Sequence, residues 1–497
     1  MRAHPRPHPH LYEINTWPWL ARLSRRSGRP ITLASVPDAE WDALRARGID
    51  IVYLMGIWTR SAFGRGVARS ETSGFAAYDQ ARPGWRLKDV VGSAYCISGY
   101  EPDPRIGTLA DVDRVRAALH ARGMRLLLDF IPNHVGFDHP WTTTNPERFV
   151  TGTEEAFRRD PSAFRLIELP AGDVQPIACA RDPFFPPWTD VAQLDYSRGD
   201  TRRAMVDQLR FVAEHADGAR CDMAMLVLSD VFERTWGRAM PAGGREFWLD
   251  ARAAVPGFLL VAEVYWDLEW RLQQLGFDYT YDKRLYDRLL HGGADAVRGH
   301  LHADTAYQSH SARFIENHDE PRSAAEFGQR APVAACVMST LQGLRFYYDG
   351  QFEGRRVRLP VQFGVDEEEQ PDAALSALYA RLLPIVDAPI FHDGEWALCD
   401  VTALDDSSAN LAAWRWASAD GLRVVVVNLG EVVAQGRVHV GDALPDGEHL
   451  AFADLLDGRR YVSARRDLTA EGLYVRLQAG GAHILSVAAA GSADTQS

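Results

Sequence analysis

Short apolar runs alternate with helix-like stretches up to about residue 388. The runs are LYEI from Leu11, IVYLM from Ile51, RLLLDF from Arg125, ARCDM from Ala219, FLLVAEV from Phe258, FDYTY from Phe277, ARFIEN from Ala312 and LRFYY from Leu344. Each has the length and composition of a strand. Segments that can form helices follow most of them, among them 109–122, 200–215, 267–275 and 281–290. Gly123 sits just past the first of these, where a glycine ends a helix. Strand–helix alternation repeated eight times predicts a parallel sheet closed into a (β/α)8 TIM barrel.

Two gaps break the rhythm, at 58–108 and at 134–196, the second rich in Pro, Phe and Trp. Loops this long inside a compact domain are usually functional, and in a barrel they rise from the C-terminal face. Beyond residue 388 the texture changes to short strands between Gly, Asp and Pro turns, such as LRVVVVNLG and GAHILSVA, which predicts an antiparallel β-sandwich. The expected organisation is a disordered tail at 1–9, a barrel at 10–136 and 197–388, an inserted loop domain at 137–196 after strand three, a sandwich at 389–490, and a polar tail at 491–497.

Composition narrows the function classes. The chain has 497 residues, with 46% hydrophobic and 24% charged positions, as in a soluble globular protein. The net charge of −13 disfavours a nucleic-acid partner, which needs a basic surface. Five widely spaced cysteines without a CxxC pair suggest neither a zinc cluster nor a disulfide framework. The start MRAHPRPHPH lacks the apolar core of a secretory signal, and no apolar run reaches the ~18 residues of a membrane span. A cytoplasmic protein with no membrane partner is expected.

Three acids stand at candidate strand ends, where barrel enzymes place catalytic groups: Asp222, Glu263 and Asp319. A cleft holding several carboxylates can favour the neutral form of one and the ionised form of another. Arg220 lies two residues before Asp222, on the same strand face. Asn133–His134 follows strand three and Asn317–His318 follows strand seven, amides and imidazoles that suit a polyhydroxyl ligand. Taken singly, a strand-end Asp is more often a helix cap and a lone His more often structural.

Together these segments resemble the α-amylase superfamily, glycoside hydrolase family thirteen. Asp129-Phe-Ile-Pro-Asn133-His134 resembles its first conserved region, Gly218-Ala-Arg220-Cys-Asp222 its second, Glu263 within VAEVYW its third, and Phe314-Ile-Glu-Asn317-His318-Asp319 its fourth. Tyr95 lies in a segment resembling the one after strand two. The resemblance implies Asp222 as nucleophile, Glu263 as general acid and base, and Asp319 as the group stabilising an oxocarbenium-like transition state. It further implies that Arg220 positions Asp222, that His134 and His318 bind sugar, and that Tyr95 stacks under it. Asp129 and Asn133 would support the site.

The implied activity is retaining hydrolysis of α-glucosides or maltooligosaccharides. The alternatives are an α-glucanotransferase or a glucoside isomerase resembling trehalose synthase on the same site, or a non-catalytic glucan-binding homologue. Departures from the family pattern are Met225 and Leu226 in place of a Lys-His pair, and Arg345, an extra Asp349 and Gln351 near strand eight. Cys96 and Gly99 replace residues that are often Asp. Asn133, Asp173, Asp182 and Asp190 leave calcium allowed, but with the Lys-His pair missing no metal or other cofactor is expected. Burial of the aromatics in PFFPPW against the barrel is expected to dock the loop domain instead, with at most one or two of Phe184, Phe185, Trp188 and Tyr196 reaching substrate.

Overall fold

The computed structural model describes residues 5–240, 244–419 and 421–490. All eight expected strands are present: β1 (His10–Asn15), β2 (Ile51–Met55), β3 (Arg125–Phe130), β4 (Gly218–Cys221), β5 (Leu259–Ala262), β6 (Tyr279–Tyr281), β7 (Ser311–Arg313) and β8 (Leu344–Tyr348). They close into one barrel in which sequence neighbours are spatial neighbours and β8 returns to β1. Several strands stop short of the apolar run that predicted them. β4 ends at Cys221 and β5 at Ala262, which leaves Asp222 and Glu263 as the first residues beyond their ladders. Gly218 opens β4 because a Cβ there would lie 2.6 Å from Leu127 Cδ1, Leu259 Cβ and the Leu259 carbonyl.

The chain divides into two compact units. The first comprises Tyr12–Tyr281 and Val357–Glu368. In it the 134–196 gap is a four-stranded antiparallel sheet, ordered His134–Gly136, Trp188–Gln193, Val174–Ala180, Phe164–Glu168. The inserted domain therefore begins at His134, directly after β3, rather than at 137. The 58–108 gap holds a strand pair, Trp58–Arg60 with Ile97–Pro102, and the helices Ala62–Ser70 and Phe75–Ala81. Phe75, Tyr78 and Trp85 pack there with Phe363.

The second unit comprises Ala3–Leu11, Asp282–Arg356 and Glu369–Ser497. Residues 6–9 correct the expected tail. Arg6 pairs with Asp387 at 2.5 Å, His392 Nδ1 donates to the Pro7 carbonyl at 3.0 Å, the Gly343 N–H donates to His8 Nδ1 at 2.9 Å, and the Arg345 N–H donates to the Pro9 carbonyl at 2.9 Å. Pro5, Pro7 and Pro9 preset φ, so this segment loses less freedom on docking than its exposed composition suggests. Residues 1–4 and the expected tail at 491–497 lie outside the described residues.

The C-terminal part of this unit contains β9 (Glu395–Ala403), β10 (Leu411–Ser418), β11 (Gly421–Asn428), β12 (Ala434–His439), β13 (His449–Asp454), β14 (Arg460–Ala464), β15 (Leu473–Leu477) and β16 (Ala482–Ala489). They form one antiparallel sheet, ordered β14-β13-β16-β11-β10-β9-β12-β15. Glu395–Cys399 of β9 pair with β10 and Asp400–Ala403 pair with β12, so one strand carries the sheet between its two halves. Alternate residues of both halves, such as Val424, Val426, Val438 and Val475, fill a single core. Among the described residues no helix is long and apolar enough to cross a membrane.

Candidate active site

Register places two carboxyls side by side. Cys221 of β4 pairs with Ala262 of β5, and the Glu263 N–H donates to the Cys221 carbonyl at 3.0 Å. Adjacent parallel strands run about 4.8 Å apart, so Asp222 and Glu263 leave the sheet as near neighbours. Asp222 is 5% exposed and Glu263 4%. The Asp222 N–H is tied back to the Phe130 carbonyl of β3 at 2.9 Å, and Trp248 Nε1 holds the Ala224 carbonyl at 2.8 Å. The backbone around Asp222 is thus fixed from two sides.

Arg220 joins the pair. Its Nη1 donates to Asp222 Oδ1 at 2.7 Å, and its Nη2 makes an ion pair with Glu263 Oε2 at 2.8 Å. The guanidinium is fully buried, 4.8 Å from the Tyr95 ring centre and 5.7 Å from that of Tyr281. Burial alone would lower its pKa. The charge of Glu263, aided by the phenols of Tyr95, Tyr281 and Tyr53, outweighs that and holds it well above the ordinary arginine value. Glu263 also accepts from the Met223 N–H at 2.7 Å, on Oε2, and from the Tyr265 hydroxyl at 3.0 Å, on Oε1. Met223 adopts φ 42°, a left-handed conformation uncommon for a residue with a Cβ, immediately after Asp222.

Below this pair, Asp129 is fully buried. It accepts from the Tyr53 hydroxyl and, at 2.6 Å, from the Gly56 N–H. Tyr53 Oη lies 3.4 Å from Tyr95 Oη, and burial, then the charge of Asp129, pushes the Tyr53 pKa well above the usual phenol. Asp129 thus holds Tyr53 and the turn at Gly56, and Tyr53 lies against Tyr95.

His134 is engaged by protein groups on both ring nitrogens. A carbonyl can only accept, so His134 Nε2 donates to the Tyr95 carbonyl, at 3.1 Å. Nδ1 takes a long 3.3 Å contact from Asn133 Nδ2. Burial depresses its pKa to about 4, so the ring is neutral at pH 7, edge-on to Trp188 at 5.5 Å. It fixes Tyr95 and joins the loop domain to the barrel rather than offering a spare N–H.

In the second unit, Asn317, His318 and Asp319 follow β7. Asn317 Oδ1 accepts the Asp319 and Glu320 N–H groups, each at 2.9 Å. His318 Nε2 lies 2.9 Å from Asp319 Oδ2, with His318 buried and the Asp319 side chain 38% exposed. The segment is anchored by Glu316, which takes Arg322 Nη1 at 2.8 Å and the Ser323 N–H at 2.6 Å. Residues that depart from the family pattern have structural work here. The Asp349 carbonyl accepts from Arg322 at 2.9 Å, Gln351 bonds the Tyr348 N–H and the Tyr379 hydroxyl, and buried Arg345 donates to the Phe391 carbonyl at 2.6 Å.

The oxygens around Asn133 are engaged by a side-chain amide. Gln193 Nε2 lies 3.0 Å from each of the Asn133 carbonyl, Asn133 Oδ1 and the Leu194 carbonyl, so a hydrogen donor takes the oxygens a cation would need. Asp182 caps a turn by accepting the Phe184 and Phe185 N–H groups, and Asp173 is exposed. Among the described residues no three His, Cys, Asp or Glu side chains are grouped for a metal. The expected docking by PFFPPW needs correction in part: Trp188 of that stretch meets the His134 ring at 5.5 Å, but Phe184 and Phe185 stay 65% and 67% exposed. The turn capped by Asp182 holds Phe184 and Phe185 outward, and the Asn133–Gln193 network and the Tyr196 hydroxyl on the Pro132 carbonyl at 2.8 Å complete the docking. Tyr53, Gln193, Tyr265 and Tyr281 were not foreseen as site residues. Only Tyr265 carried a signal, standing two positions beyond Glu263 on the same side of an extended chain.

The family model for the α-amylase catalytic domain matches residues 87–240. An α-amylase MalA of Haloarcula japonica is 29% identical over 364 residues, covering 71% of this chain and 48% of the relative. Alpha-amylase 3 of Dictyoglomus thermophilum is 20% identical over 286 residues, 53% of this chain and 54% of the relative. The chain thus spans about half the length of these curated relatives. Among solved structures, a noncanonic maltogenic α-amylase, AmyB, of Thermotoga neapolitana superposes with a TM-score of 0.68 at 19% identity, covering 96% of this chain and 98% of that one.

Proposed function

Because the chain belongs to the α-amylase superfamily, we propose that it is a retaining α-glycoside hydrolase acting on α-glucosides or maltooligosaccharides in the cytoplasm. The observation that carries this reading is the Arg220 bridge between two buried, register-matched carboxyls, Asp222 at 2.7 Å and Glu263 at 2.8 Å. Retaining glycosidases use an acid and a nucleophile ≈ 5–5.5 Å apart, closer than the pair that must admit a water, and neighbouring strand ends suit the shorter spacing.

In the proposed reaction Asp222 attacks the anomeric carbon while Glu263 gives its proton to the departing glycosidic oxygen. The C–O bond breaks and a glycosyl ester on Asp222 remains. Water then attacks the same carbon, loses a proton to Glu263, and frees Asp222. Arg220 keeps Asp222 ionised and nucleophilic, Tyr95 provides the aromatic face for the sugar, and Asp319 takes its transition-state role from the motif it ends. The five cysteines are free and buried, in keeping with a reducing compartment.

Incubation with maltoheptaose, followed by chromatography and early proton NMR, tests the reading. Shorter oligosaccharides born with the α-configuration support it. Longer products would assign the second half-reaction to a sugar hydroxyl and make the chain a transferase. Inverted products, or no turnover on any α-glucoside, would overturn it.

A further inference from the structure

The reaction asks Glu263 to be an acid and then a base, and the turn after β5 bears on both states. Tyr265 Oη lies 3.0 Å from Glu263 Oε1. The backbone then passes through two consecutive left-handed residues with side chains, Trp266 at φ 65° and Asp267 at φ 64°, before the helix Glu269–Gln274. Such conformations persist where the surroundings enforce them. Here the Trp266 ring meets Phe184 of the loop domain edge-on at 5.0 Å. The exposed Phe184 thereby acquires a role: it braces the turn that aims Tyr265. The other oxygen, Oε2, faces the Met223 N–H and Arg220 of β4, with Asp222 paired to the same guanidinium and Tyr281 on β6 within electrostatic reach.

We infer that Tyr265 is a positioning residue for Glu263: its hydroxyl fixes the carboxyl in one rotamer and favours the carboxylate over the protonated acid. The inference rests on the reading of Glu263 as the acid and base. A donor to a carboxylate stabilises the charged form. Tyr265 therefore opposes the form that glycosylation needs and favours the form that deglycosylation needs. The hydroxyl acts through Glu263 and leaves the donors on Oε2 untouched.

Tyr265→Phe tests this, since it keeps the ring and removes the donor. The alkaline limb of kcat/KM on maltotriose should move upward by about one pH unit, roughly a tenfold change in proton affinity, while the acidic limb and the melting temperature stay near those of the parent. A second measurement does not depend on activity. In protein labelled with carboxyl-¹³C glutamate, the Glu263 signal, assigned by its loss in Glu263→Gln, should titrate at higher pH in Tyr265→Phe. An unmoved limb together with an unmoved midpoint would overturn the role of Tyr265. Full turnover of maltotriose by Glu263→Gln would instead overturn the functional reading, with the NMR midpoint still reporting on the hydrogen bond.

Discussion

Replacing Arg220 separates its two contacts. The side chain is 0% exposed, donates to Asp222 at 2.7 Å and pairs with Glu263 at 2.8 Å. In Arg220→Lys a single ammonium keeps the charge but cannot span both carboxyls with the planar fork. Loss of one charge-assisted hydrogen bond costs about 1.5–3 kcal/mol, which at about 1.4 kcal/mol per decade is a ten- to hundred-fold fall in kcat/KM. Arg220→Met removes the charge and leaves two buried carboxyls facing each other. Breaking a buried pair costs about 3–5 kcal/mol, and neighbouring carboxyls relieve part of it by taking up a proton. A carboxyl whose folded-state pKa is raised contributes stability below its unfolded value and loses it as pH rises. Urea denaturation of Arg220→Met should therefore show a deficit against the parent that widens from pH 5 to pH 8. A deficit independent of pH, or an Arg220→Lys protein with parental kcat/KM, would refute the bridging role.

Three further outcomes follow from burial and packing. Burial lowers His134 and His139 to about 4 and His8 and His392 to about 3. Their neutral forms cost nothing above the unfolded value near 6.5, but below it the unfolded chain binds protons first, so stability should fall from about pH 6.5 toward 4, by about 3 kcal/mol for His134 alone; urea titrations at pH 7 and 4.5 check this, and equal midpoints would contradict it. Excess EDTA should leave the melting temperature unchanged, whereas Gln193→Ala should destabilise by about 1–3 kcal/mol, because buried oxygens near Asn133 lose their donor; a calcium-reversible drop in the parent would overturn the account of Gln193. Gly218→Ala should yield little folded protein, since its Cβ would meet the Leu259 carbonyl at 2.6 Å, and a melting temperature near the parental one would show that β4 can move.

The barrel was legible because its strands are continuous apolar runs and because acids and Asn-His pairs recur at their ends. What the sequence hid were the partners of those residues. Nothing in the spacing of His134 tells that its Nε2 is committed to the Tyr95 carbonyl, since that contact spans 39 residues. Gln193 lies in an unremarkable stretch, and its meaning depends on three oxygens meeting one nitrogen. Phe184 and Phe185 misled for the opposite reason. Their hydrophobicity argued for burial, while the Asp182 turn that holds them outward is a local hydrogen-bond pattern. Residues 6–9 read as a tail because histidine, proline and arginine give no apolar periodicity, and their partners lie far along the chain.

That distance has a consequence for how the protein is made. Arg6 and Asp387 are 381 residues apart, and Gly343 and His8 are 335 apart. At a synthesis rate of about 5–20 residues per second, the first strand's leading segment waits roughly 20–80 s for the partners that hold it. The second unit cannot form in the order in which it is translated. Residues 6–9 leave the ribosome well before the partners that hold them, so their docking follows the synthesis of the barrel that lies between.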